Sequence, residues 1–319
     1  MKKKLYSFTI IITLLIAIIN IFLNSNTLNQ TITFSSNLFL KNIMPSLFPM
    51  FIISSILVEI DIPKVLGNIF KKPMNILFKT KGEGAFIFFM SMITGFPSSA
   101  KYINDLLNKK QIDTKDAQKI LMFSFFSNPL FIVNTVGIMF LKNQKIGIML
   151  LISHILGNII IGIIFKNYNQ TKSIPNTKIN NLKYLNTKIN NTNLFKVLIT
   201  SIKTSIETLI NIFGIITFFL IIINILFKTK NIITIPLIGI LEMTSGLKYL
   251  SISNIDYNIK VLLSMFLISF GGFSVHFQIM SILNKKKVKY LPFLIARIIH
   301  GIISFMFMMV ILQKMDILS

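Results

Sequence analysis

Apolar residues in this chain fall into long runs, not into the short alternations of a half-buried strand. Ile10–Ile19, Ile212–Leu226 and Ile298–Leu312 hold very little that water would solvate. With their flanks they approach the roughly 18 or more apolar residues a helix needs to cross hydrocarbon. An open sheet or loop would leave backbone groups unpartnered in lipid, so the runs predict helices. Full spans are clearest at 5–23, 43–60, 146–165, 203–227 and 292–313. Two further regions, 84–141 and 232–283, are apolar but broken by Gly, Pro and polar residues. Between 62 and 82, Lys64, Lys71, Lys72, Lys79 and Lys81 interrupt apolar residues, which predicts an amphipathic helix along the cytoplasmic interface.

One linker is predicted, at 166–193. It is rich in Asn, Lys and Thr, and Asn176–Asn181 (NTKINN) recurs as Asn186–Asn191, which reads as a flexible low-complexity cytoplasmic loop with no part in binding, a docking motif being the alternative. Excess lysine marks cytoplasmic loops. That rule puts Lys2–Lys4, segment 61–82, the stretch Lys101–Lys119, loop 166–193 and Lys285–Lys289 inside. Loop 24–42, with Lys41 alone, goes outside. The N-terminal stretch reads as an uncleaved first helix, because Asn24–Thr27 offers no small-x-small cleavage site. The topology closes if each broken region makes one re-entrant hairpin and one crossing. In the first region 84–100 is then the hairpin and 120–141 the crossing. The units 43–165 and 203–313 both read span, broken region, span, yet start in opposite directions. The expected architecture is an all-α membrane protein built as an inverted repeat, as in many secondary transporters.

The breaks carry the candidate chemistry. In the first half they are Gly95, Phe96, Pro97, Ser98, Ser99 and Lys101, then Ser127 and Asn128 before Pro129. In the second they are Glu242, Thr244 and Ser245, then Gly272, Ser274, His276 and Gln278. A single Gly or Pro in a spanning helix is ordinarily a packing kink. Paired breaks at matching places, each beside hydroxyl or amide side chains, point instead to a central solute site. Glu242 follows the apolar run 232–241, where a charge is expensive. It reads as a proton carrier, an ion ligand, a partner for a polar solute, or a structural partner of a lysine. Glu207, with Thr200, Thr204 and Thr208 nearby, reads as a residue of a cytoplasmic helix end. Arg297 and His300 share one face of the last helix. Arg297 either snorkels to the interface or faces inward, where it would suit a carboxylate. His154 and Asn158 read as bonds between neighbouring helices.

Composition narrows the classes. Hydrophobic residues make up 53% of the 319 and charged ones 13%, about half the charge a soluble surface needs. The net charge of +23 would suggest nucleic acid in a soluble protein, but these lysines lie between apolar runs, so no nucleic-acid partner is expected. There is no cysteine, and the three histidines are too widely spaced for a metal motif. Neither a Walker sequence nor a hydrolase motif is present, so ATP-driven pumping and enzyme activity are not expected, nor is a cofactor. The expected partners are the bilayer and a small solute, with Na⁺ or H⁺ coupling through Ser127, Asn128 and Glu242. No pattern in the chain sets an oligomeric state.

The run Met44–Phe51 (MPSLFPMF) resembles the opening of the sporulation integral membrane proteins of YlbJ type. So do Gly95–Lys101, Ser127–Ile132, Gly271–Gln278 and Ala296–Gly301, so that the likeness covers roughly 43–313. The resemblance implies paired nucleoside-recognition (Gate) units, here 43–165 and 194–319, distantly like concentrative nucleoside transporters. Residues 1–42 then hold a first transmembrane helix and an outside loop. It also implies passage of dipicolinic acid from the mother cell across the outer spore membrane during sporulation. Dipicolinate needs cations or N–H donors for two carboxylates and an apolar wall for its ring. Lys101 and Arg297 are the available cations, half-helix N-termini add N–H donors, and Phe96 or Phe273 could line the ring. Phe96 stands where the family often has Tyr, which removes a hydroxyl. A nucleoside or other small-solute carrier, and a non-transporting spore-envelope assembly protein, remain the alternatives.

Overall fold

The computed structural model describes residues 25–168, 188–189, 192–283, 286 and 288–318. The predicted helix 5–23 and most of loop 166–193 lie outside the described residues, which are helical with no strand among them. Among the described residues five helices are long and apolar enough to cross a bilayer: α1 (Ser25–Glu59), α7 (Gln144–Ile164), α8 (Leu194–Leu226), the broken helix Tyr257–Leu283, and α13, apolar over Tyr290–Lys314 within Tyr290–Leu318.

Polarity is distributed inside out. Ile148, Ile152 and Leu156 on α7 are exposed, as are Ile206 and Ile210 on α8 and Ile298, Ile302 and Met306 on α13. Many polar residues of the same helices are buried, among them Ser153, His154 and Asn158, Ser201 and Ser205, and Arg297, His300 and Ser304. In water this arrangement would be unstable. In lipid it is the expected one, because the polar groups find partners only within the protein.

The stretch 24–42, expected as an outside loop, is helical from Ser25 and continues into α1. Its two buried polar residues, Thr31 and Ser35, bond another helix. Asn224 of α8 donates to Thr31 (2.6 Å), and Thr217 donates to Ser35 (3.0 Å). A wide π turn at Phe39–Ile43 lies just before Pro45, whose ring would clash with the carbonyl of Lys41 in a regular helix. The predicted interfacial segment is a short helix, α2 (Ile62–Ile69), followed by a turn through Lys71–Phe78.

Each broken region resolves into a hairpin and an interrupted helix. In the first half α3 (Gly84–Thr94) turns at 95–97 into α4 (Ser98–Asn108), which runs back along it: Tyr102 meets both Thr94 (3.1 Å) and the Phe86 ring. The hairpin thus extends beyond the expected 84–100. Then α5 (Thr114–Phe123), an unwound stretch 124–128 and the π-type helix α6 (Phe131–Phe140) complete the region. In the second half α9 (Thr234–Leu241) and α10 (Met243–Ile252) fold back at Glu242, with Gly246 against the backbone of Gly239. The interrupted helix is α11 (Tyr257–Phe270) and α12 (Gly272–Leu283).

Packing between the halves is reciprocal. Helix α4 packs on α12 while α10 packs on α6, and α13 packs on α5 while α11 packs on α7. At one end of the protein the lysine-rich segments gather. Gln111 donates to Asp61 (2.6 Å), Lys188 pairs with Asp61 (3.3 Å), Lys79 reaches Asn167 (2.7 Å), and Lys286 bonds Asn108. Residues 141–145 lie at the other end of α7, where Tyr257 donates to the Leu141 carbonyl (3.1 Å).

Candidate functional site

Gly95 and Gly272 place the two hairpins against the two interrupted helices. Gly95 (φ +80°, ψ 173°) has a backbone geometry that only glycine adopts easily, and a Cβ there would lie 2.5 Å from the Asn128 nitrogen. The turn also holds a cis Phe96–Pro97 peptide. Gly272 (φ +74°) would put a Cβ 3.0 Å from the Met243 nitrogen in the second hairpin's turn. In both halves, therefore, a hairpin turn lies directly on the unwound part of its neighbour. The predicted breaks meet in pairs and pack closely.

The side chains at the breaks mostly satisfy the breaks themselves. Asn128 donates to the Thr94 carbonyl (3.3 Å) and accepts from the Leu130 N–H (2.8 Å). Ser98 bonds Thr94 (2.6 Å) and the Gly95 carbonyl. The neighbouring Ser99 hydroxyl is buried without a hydrogen-bond partner. Glu242 caps α10: its two oxygens accept the N–H groups of Thr244 (3.0 Å) and Ser245 (2.7 Å). Gln278 donates to Ser274 (3.2 Å). His276 donates from Nε2 to the Phe270 carbonyl (2.8 Å) and accepts at Nδ1 from Tyr290 (3.2 Å).

Arg297 joins the halves. It is fully buried, and among the described residues no carboxylate pairs with it. Its Nη1 donates to Asn158 Oδ1 (3.1 Å) and lies 3.0 Å from His300 Nδ1, while Nη2 donates to the Met122 carbonyl at the end of α5. Phe125 and Phe293 flank the guanidinium at 4.7 and 5.7 Å, and Nε has no partner. His300 faces a backbone carbonyl with each ring nitrogen, His154 O from Nε2 (3.0 Å) and Ser269 O from Nδ1 (3.1 Å), and the tautomer sets which of the two receives the N–H. His154 accepts the Ser127 N–H at Nε2 (3.0 Å) and therefore donates from Nδ1 to Ser269 (3.2 Å). Asn158 donates to the Phe125 carbonyl (2.8 Å). The unwound stretch 124–128 is thus held by α7, and α7 in turn by α11 and α13. Phe96 stacks on Phe125 (4.7 Å), which also fills the space left by Gly271.

Lys101 faces elsewhere. It lines a cavity of about 780 Å³ bounded by the end of α1, α4, Lys188, Thr192, Asn193 and the start of α8. Ser55, Asp105, Lys196, Thr200, Thr204, Glu207 and Thr208 line it too. The volume is within the range of small-molecule sites, roughly 300–1,000 Å³. Lys101 donates to Asp105 (2.5 Å) and to Ser55 (2.9 Å). Of the predicted site residues it alone reaches this cavity, which lies at the lysine-rich end. Sequence reasoning missed Asp105 and Ser55. The spacing of Lys101 and Asp105, four apart on one helix, was the available signal. Among the described residues no group of three or more His, Asp or Glu could hold a metal.

Comparison with known proteins adds one relative. The chain is 29% identical over 300 residues to the sporulation integral membrane protein YlbJ of Bacillus subtilis (strain 168), covering 84% of this chain and 74% of the relative. The chain is related to the YlbJ-type sporulation integral membrane proteins. The likeness read from Met44–Phe51 onward thus holds for most of the sequence, and with the inside-out polarity it makes this a multi-pass integral membrane protein. No family model and no solved structure matches the chain.

Proposed function

We propose that this YlbJ-type protein is a carrier for a small dicarboxylate, with dipicolinate as the passenger, acting in sporulation across the outer spore membrane. The observation that carries this is the doubled contact of hairpin turn on unwound helix, Gly95 on Asn128 and Gly272 on Met243. Unwound backbone at membrane depth is tolerated where protein buries it or where it lines a path, and its duplication in two like halves is the pattern of transporters. The reciprocal packing of the halves supports an inverted repeat of units 43–165 and 194–319. The polar cavity supports a route from the lysine-rich end, read as cytoplasmic, to the first hairpin. In the geometry described the turns are closed on each other, so passage requires them to part. The protein moves the solute without altering it.

Uptake of labelled dipicolinate into vesicles holding the purified protein tests this. Wild type should take it up well above protein-free vesicles, and Arg297→Met, correctly inserted, should not. Equal uptake with and without protein would leave the spore-envelope assembly reading in its place. Uptake of nucleosides in preference to dipicolinate would move the assignment to that solute class.

A further inference from the structure

We propose that Asp105 is a proton-loading group, taking up one proton when a carboxylate of the solute binds the Lys101 ammonium. The inference deepens the carrier reading and rests on it. The Lys101 side chain is 4% exposed and that of Asp105 16%, yet both line the cavity. An ammonium has three N–H donors. Asp105 and Ser55 take two, which leaves one for a ligand. Ser55 also donates to Asp105 Oδ2 (3.3 Å), so Asp105 keeps a partner when Lys101 turns toward a solute.

Two carboxylates on one buried ammonium cannot both stay ionised at low energy. One of the pair is driven to hold a proton, as in any carboxylate dyad. The other charged groups do not relieve this. Glu59 from α1 is paired with Lys109 (2.5 Å), Lys188 with Asp61, and Glu207 on α8 adds negative charge that offsets Lys196 on the same wall. The proton comes from water in the cavity, and no bond other than O–H is made. Net charge rises by one per solute loaded, which lowers the charge carried across the membrane by a dianion. Proton coupling then belongs to Asp105 and not to Glu242, whose oxygens both cap α10.

Calorimetry of dipicolinate binding to the purified wild type, in two buffers of different ionisation enthalpy near neutral pH, reads the proton directly. The expected result is about one proton taken up per dipicolinate bound, with affinity falling about tenfold per pH unit. Asp105→Asn keeps an acceptor for Lys101 and should bind with no proton uptake and no such slope. Binding by wild type without proton uptake overturns the inference, whatever the variant does. Unchanged uptake in Asp105→Asn also overturns it, because another group then takes the proton. Absence of any dipicolinate binding by wild type would instead sink the carrier reading on which it stands.

Discussion

Replacing Gly95 by alanine should separate the hairpin from the unwound stretch it touches. Two effects add. The backbone at φ +80° and ψ 173° is in a region that costs a residue with a Cβ about 1–3 kcal/mol. The new Cβ would also lie 2.5 Å from the Asn128 nitrogen and 2.9 Å from its Cα, and these are backbone atoms that cannot rotate away. Relieving such an overlap by shifting the backbone costs about 1–3 kcal/mol more. The sum, about 2–6 kcal/mol, corresponds to about 3–9 °C in the apparent melting midpoint of a chain this long. Gly272→Ala, with its nearest contact at 3.0 Å to the Met243 nitrogen, should lose less. Gly214→Ala is the internal control. Gly214 lies in α8 with nothing within 4 Å of the new Cβ, and alanine there should gain up to about 1 kcal/mol from helix propensity. Thermal unfolding of the three purified variants in one detergent, with solute uptake in vesicles, reads the effect. If Gly95→Ala melts within about a degree of Gly214→Ala, the reasoning about the hairpin turn is wrong.

Three further outcomes follow from the structure. Burial, helped by the nearby Asp113, pushes the Asp116 carboxyl up from 3.8 to about 6 at the lysine-rich end. Its folded pKa exceeds the unfolded one, so the folded state holds more protons between those values. Stability should therefore fall by up to about 3 kcal/mol as pH rises from 4 to 6, and Asp116→Asn should abolish that slope in melts across pH. Arg297→Met would leave the Met122 carbonyl and Asn158 Oδ1 without their buried donor, at about 1–3 kcal/mol each; Arg297→Lys should recover part of this loss of melting temperature, and no difference between the two variants would contradict the network. Because the chain has no cysteine, Lys142→Cys and Lys286→Cys each give a single labelling site, and an impermeant reagent added to one side should modify only one of them.

How far the sequence was legible depends on the kind of signal. Runs such as Ile212–Leu226 made the spans plain, because hydrocarbon leaves helices little alternative. Gly95, Gly272 and Glu242 were visible as breaks because backbone chemistry announces itself in Gly, Pro and isolated charge. The helix 25–42 was misread as loop. Thr31 and Ser35 look like loop residues until their partners, Asn224 and Thr217, arrive from almost two hundred positions away. The role of Glu242 was open between several readings, and its capping bonds to the two N–H groups that follow were not among them. Arg297 and His300 were correctly placed on one face, but their link through Asn158 and His154 to the unwound stretch is a tertiary fact. So is the cavity, which forms only where α1, α4 and α8 converge.

Counterflow tests the account most directly. Vesicles holding the purified protein and loaded with unlabelled dipicolinate are diluted into a trace of labelled dipicolinate. A carrier whose two halves alternate around one site should draw the label inward to a transient peak above its equilibrium level. A flat approach to equilibrium, indistinguishable from protein-free vesicles, would contradict the account.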